Sequence, residues 1–133
     1  MNWLINACGL KEFKGVDVSR AYKIDAHTAI ATDGYRMHVL KMEVPQSLKT
    51  APTKLKEVYK TLSKLEGAGI EHAWELYGDY YYHFFEGASI QKGFLEDVID
   101  DHPEMKCFIE DDLIFFRSHD RAAYIMPFVH RKP

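Results

Sequence analysis

The stretch Ala31-Thr32-Asp33-Gly34-Tyr35-Arg36 decides how the rest of this chain is read. Asp-Gly is a strong turn pair, because Gly tolerates positive φ and the Asp carboxylate bonds the nearby backbone. Before it, Tyr22-Lys23-Ile24-Asp25 and Thr28-Ala29-Ile30-Ala31 read as short strands around a turn near Ala26-His27. After it, Tyr35 to Met42 reads as a further strand. The N-terminal third is therefore expected to contain a β region of short strands.

A helix is expected from Asn2 to about Phe13. Trp3, Leu4, Ala7, Cys8 and Leu10 cluster at helical spacing, Gly9 interrupts, and Gly15 can end it. Pro45 to Pro52 reads as a loop. Thr53 to Glu66 reads as an amphipathic helix, with Leu55, Val58, Tyr59, Leu62 and Leu65 on one face, stopped by Gly67-Ala68-Gly69. Glu71 to Tyr77 and Tyr80 to Phe85 flank Gly78-Asp79 as a hairpin. Lys92 to Asp101 reads as a short helix ahead of Pro103. A three-strand meander closes the chain: Met105 to Ile109, Leu113 to Arg117 and Arg121 to Phe128, with turns at Asp111-Asp112 and His119-Asp120. No internal repeat is evident. Helices mixed with local hairpins, without βαβ alternation, predict an α+β fold with mostly antiparallel sheets.

The bulk properties set limits. The chain has 133 residues, 47% of them apolar, which suits one domain with a real core. The expected layout is a single domain over 1–128, with 45–87 as a candidate insertion, and a short basic tail, 129–133, that frays. No apolar run approaches a membrane span, and Met1 to Leu10 lacks the pattern of a signal peptide, so a cytoplasmic protein is expected. Cys8 and Cys107 show no paired spacing and read as buried or half-buried thiols.

Charge is distributed unevenly. The net charge of −3 argues against a basic nucleic-acid binder of the general type. Residues 49–64 nevertheless carry five Lys and one Glu, and Lys56, Lys60 and Lys64 form an i, i+4 stripe. With Lys54, these are the candidate phosphate contacts; the competing reading is a solvated helix face. Residues 96–112 oppose this with eight acids and one Lys. The seven histidines form no ligand pattern, so neither a metal nor another cofactor is expected. No nucleophile, phosphate loop or acid–base constellation stands out, which points away from an enzyme. Tyr80 to Phe85 reads as core packing rather than as a base-stacking surface.

Two stretches resemble the bacterial DNA polymerase sliding clamp, the β subunit of the replicative polymerase. Ile30-Ala31-Thr32-Asp33-Gly34-Tyr35-Arg36-Met37 is similar to the clamp's Val-Ala-Thr-Asp-Gly-His-Arg-Leu, and Ala122-Ala123-Tyr124-Ile125-Met126-Pro127-Phe128 is similar to its closing strand. Phe94 to Ile99 resembles the helix before the closing strands of a clamp domain. The likeness spans roughly residues 1–42 and 88–128. It implies a single clamp-like domain, non-enzymatic, with DNA-facing helices and partner proteins held through a short peptide. Position by position, the resemblance implies a peptide pocket at Thr32, Gly34, Tyr35, Arg36, Met37, Ile125 and Met126. Clamp chains carry three domains and this chain has one, so a ring around duplex DNA would need six copies or other clamp-like partners. A chain of this kind fits a phage or prophage genome. Two functions follow from the resemblance. One is a replication clamp that encircles duplex DNA as a homo-oligomer and tethers partners. The other is a clamp-derived module that binds a replication-protein peptide or a clamp without encircling DNA.

Overall fold

A computed structural model describes residues 2–64, 70–72, 82–85, 88–100, 105–110, 113–125 and 128–129. Among the described residues, three helices, α1 (Asn2–Ile5), α2 (Thr53–Ser63) and α3 (Lys92–Ile99), accompany twelve strands. The strands are β1 (Glu12–Phe13), β2 (Val16–Asp17), β3 (Tyr22–Asp25), β4 (Thr28–Thr32), β5 (Arg36–Lys41), β6 (Ile70–His72), β7 (Tyr82–Phe85), β8 (Ala88–Gln91), β9 (Lys106–Glu110), β10 (Leu113–Arg117), β11 (Arg121–Ile125) and β12 (Phe128–Val129). The main sheet runs β3-β4-β5-β11-β10-β9-β6, beside a β12-β8-β7 sheet and a β1-β2 ribbon. Every pairing in these sheets is antiparallel. The chain is thus an α+β protein, as its pattern of local hairpins predicts.

The centre of the main sheet has a symmetry that the residues do not advertise. The meander β3-β4-β5 follows α1, and the meander β9-β10-β11 follows α3. The two meet at a seam between β5 and β11, where Arg36 lies opposite Ile125 and Leu40 opposite Arg121. Strand alternation needs only an apolar residue every second position, so two such units need share no residues.

That alternation also gives the sheet two buried faces. Ala29, Ala31, Leu40, Cys107, Ile114, Phe116, Ala123 and Ile125 pack with Trp3 and Leu4 of α1 and Leu95 and Val98 of α3. The indole Nε1 of Trp3 donates to the Val98 carbonyl at 2.7 Å, tying these two helices together. On the opposite face, Tyr22, Ile30, Met37, Val39, Phe115 and Tyr124 pack with Leu55 of α2. Burying a Leu of this kind contributes about 1.5–3 kcal/mol, so α2 is held by its apolar edge rather than by capping. Its N-cap, Pro52, offers no side-chain bond.

Several boundaries differ from expectation. The first helix stops at Ile5, not Phe13, because residues 9–11 are drawn into backbone pairing. Gly9 N donates to Val18 O at 2.8 Å, and Val18 N donates to Lys11 O at 3.0 Å. Gly9 permits this approach: a Cβ there would lie 2.7 Å from Val18 Cγ2. Most of the hairpin expected around Gly78-Asp79, residues 73–81, lies outside the described residues. Among the described residues, β6 joins β9 while β7 joins β8, in different sheets. β8 was not anticipated, since Ala-Ser-Ile-Gln has weak strand preference and its pairing partners decide its conformation. The last meander strand ends at Ile125, and Phe128–Val129 pairs with Ser89 and Ala88 in the other sheet. Pro127, which has no N–H to give a ladder, falls between them in the sequence. Val129 is therefore paired rather than part of a frayed tail; residues 130–133 lie outside the described residues, as do Leu65 and the Asp111-Asp112 turn.

The 45–87 stretch supplies α2, the edge strand β6 and β7. Cys107 is buried and Cys8 half-buried, both as free thiols. Among the described residues, no helix is long and apolar enough to cross a membrane.

Candidate functional site

The 32–37 turn is built almost entirely from its own side chains. Thr32 Oγ1 donates to the Arg36 carbonyl at 2.5 Å and accepts from Gly34 N at 3.0 Å. Asp33 Oδ1 accepts from Tyr35 N at 2.8 Å and Arg36 N at 3.1 Å. Gly34 adopts φ +96° and presses against the Phe13 ring; a Cβ there would lie 2.4 Å from Phe13 Cγ. Each letter of the Thr-Asp-Gly run therefore has a local structural task.

Arg36 is equally occupied. Its guanidinium bonds Asp33 at 3.2 Å, Asp97 of α3 at 2.5 Å and the Asn6 carbonyl at 2.7 Å, and it lies 4.3 Å from the Phe94 ring centroid. Its side chain is 9% exposed.

The seam brings the two motif stretches together: Arg36 pairs with Ile125 and Met37 with Tyr124. Their side chains, however, face the two cores. Met37 and Thr32 are buried on the α2 face, and Ile125 is buried on the α1–α3 face. Among the motif positions with described side chains, Tyr35 is the one presented to solvent, at 58% exposure. Its ring meets Phe13 edge-on at 5.2 Å between centroids. Met126 lies outside the described residues. Sequence reasoning missed Phe13 and Asp97, because each reaches the turn from a distant element and neither carries a local signal.

The charged surfaces lie on opposite sides of the sheet. Lys54, Lys60 and Lys64 of the α2 region are exposed and Lys56 is half-buried, all on the helix that covers the Met37 face. Helix α3 covers the other face and bears Glu96 and Asp97, with Asp100 just past its end. There Asp100 accepts from Asn6 Nδ2 at 3.0 Å, and Glu96 sits 3.6 Å from Lys92.

His38 is buried in the α1–α3 core. Its ring stacks on Trp3 at 4.2 Å, and its Nδ1 lies 3.0 Å from the Trp3 carbonyl oxygen. Because that oxygen only accepts, Nδ1 carries the proton and Nε2 is left without a partner among the described residues. Arg121 also lies over the Trp3 ring, 4.8 Å from its centroid. Burial pushes the His38 pKa down to about 3, with Arg36 and Arg121 adding to the effect. A neutral, enclosed imidazole of this kind is a packing element. Among the described residues, no three His, Cys, Asp or Glu side chains gather as a metal site.

No protein-family model matches this chain, and no curated protein matches it.

Proposed function

We propose that this chain is a clamp-type interaction module of DNA replication: a single clamp-like domain, non-enzymatic, that recognises a replication-protein peptide or a clamp and does not encircle DNA. The observation that carries this reading is the separation of charge across the sheet. The two helices that precede the meanders share one face, as the DNA-facing helices of a clamp domain would, yet Glu96 of α3 and Asp100 just past its end are exposed there, beside Asp97 in its ion pair with Arg36. Carboxylates in that position repel phosphate, and about one favourable contact per phosphate is what nonspecific DNA binding requires. The lysines that could supply such contacts lie on α2, across the sheet. Two helix-plus-meander units joined at one seam support the clamp-like architecture. Exposed Tyr35 beside Phe13 offers an aromatic anchor of the sort that peptide interfaces favour.

The ring reading keeps one supporting observation, the exposed lysines of α2. Native mass spectrometry with a duplex-retention assay across a salt series separates the two. The module predicts a monomer, or a one-to-one complex with a clamp, with no salt-sensitive duplex retention. A six-membered assembly that retains duplex at low salt would overturn the module and restore the ring.

A further inference from the structure

A basic hollow lies at one end of the sheet, on the α2 face, away from the 32–37 turn. Lys41 extends from the end of β5 and Arg117 from the end of β10, with β11 between them. On β11, Ala122 lies opposite Arg117 on one side and Val39 on the other, and its small side chain lines the floor. Tyr59 and Ser63 of α2 form one wall, and His119 in the β10–β11 turn forms the other. The space is about 100 Å³. That is room for about three waters, or one tetrahedral anion.

Two features show that this hollow is unsatisfied. Arg117 Nη2 is buried and has no hydrogen-bond acceptor among the described residues. Its guanidinium is held over Phe108 and Phe115, at 5.5 and 5.3 Å from their centroids, so its direction is fixed by packing. A buried donor left without an acceptor is destabilising. Lys41 Nζ donates to two neutral oxygens, Thr28 Oγ1 at 3.0 Å and Tyr59 Oη at 3.3 Å, and its charge is also felt by the Asp25 carboxylate. Among the described residues, no Asp or Glu lines the hollow. The nearest acid in the turn, Asp120, is already engaged by Arg121 at 2.9 Å. The carbonyl end of α2 contributes about half a negative charge, less than either cation alone.

A second hollow, of about 300 Å³, shares Arg117, Ser118 and His119 and opens over Phe108 and Lys106. We propose that the pair of hollows is a binding site for a phosphate monoester, with Lys41 and Arg117 holding the phosphoryl group and Phe108 beside the organic part. Bidentate donation by Arg and point-charge donation by Lys are the usual means of holding such a group.

The test is phosphorus NMR of inorganic phosphate and of adenosine monophosphate titrated with the full chain. Saturable shifts are expected for both, weakened at least about tenfold by Lys41→Gln and by Arg117→Gln, since each removes one charge-assisted contact. Lys11→Gln, remote from the hollow, leaves them unchanged. Tighter binding of the nucleotide assigns the ligand as a nucleotide; equal binding assigns free phosphate. Circular dichroism accompanies each variant, and Lys41→Gln decides the matter should Arg117→Gln fail to fold, because Lys41 is exposed. Absence of saturable binding, or equal loss in Lys11→Gln, overturns the site. Peptide binding through Tyr35 is measured separately, so either result can stand without the other.

Discussion

Arg36 and Asp97 form the ion pair that fastens strand β5 to helix α3, with 2.5 Å between Nη1 and Oδ2. The pair converts a residue that resembles part of a peptide pocket into a structural tie. Arg36→Ala removes the partner of two carboxylates, the bond to the Asn6 carbonyl and the cover over Phe94. Removing one member of a buried pair costs roughly 3–5 kcal/mol, and the 36% exposure of Asp97 places this case toward the lower end. A urea denaturation midpoint indistinguishable from the parent's would contradict the assignment. Lys at this position keeps the charge but loses the fork geometry and recovers only part of the stability.

Gly34 and Gly15 make a matched comparison, with φ of +96° and +82°. Both substitutions to Ala pay for a left-handed residue, about 1–2 kcal/mol. Only Gly34→Ala also drives a methyl into the Phe13 ring, whereas nothing lies within 4 Å of a Cβ at Gly15. Gly34→Ala is therefore expected to lower the thermal midpoint clearly more than Gly15→Ala. Equal midpoints would show that the Phe13 contact relaxes freely.

Stability should decline on the acid side because of His38. Its folded pKa is about 3 and its ordinary value 6.5. Between those values the unfolded chain binds one more proton than the folded chain, so stability falls as pH drops from about 6.5 toward 3. The limiting slope is about 1.4 kcal/mol per pH unit. Asp120, held down to about 2 by Arg121, adds to the loss only below its ordinary 3.8. His38→Phe keeps the stack on Trp3 and flattens the pH 6.5–4.5 limb, at the cost of a lower plateau at neutral pH from the unpaired Trp3 carbonyl. Guanidinium melts across pH would read both changes.

Tyr35 separates stability from recognition. Its truncation to Ala costs no more than about 1 kcal/mol, the value of one edge-on aromatic contact. As a central anchor it would carry about 2 kcal/mol or more of binding, a loss of roughly thirty-fold in affinity. Fluorescence anisotropy with a labelled clamp-contacting peptide of a replicative polymerase measures this directly. Retained affinity in Tyr35→Ala would remove the turn from the interface.

Local features were the legible ones. Asp33-Gly34 turns the chain where the pair says it must, and α2 follows its Leu55, Tyr59 and Leu62 spacing. The meander strands follow their alternation. What the sequence hid was long-range. Nothing near Arg36 announces Asp97, and nothing near Gly34 announces Phe13. The hollow draws Lys41, Arg117 and Tyr59 from three separated elements, so no spacing along the chain could flag it. The resemblance implies a binding surface at the 31–37 motif, whereas three of its side chains bond within the turn itself and Arg36 is tied to α3. Which residues face solvent depends on which helix covers which face of the sheet, and that is a property of the assembled layers.

The seam between β5 and β11 also bears on how the chain is made. Ribosomes deliver β5 long before β11, so the nascent N-terminal meander must wait with β5 as its open edge. That edge carries Met37, Val39 and Leu40, all buried once β11 arrives. An unpaired apolar edge is a template for association with neighbouring chains. The interval of synthesis between Lys41 and Arg121 is thus the period in which this protein most needs shielding.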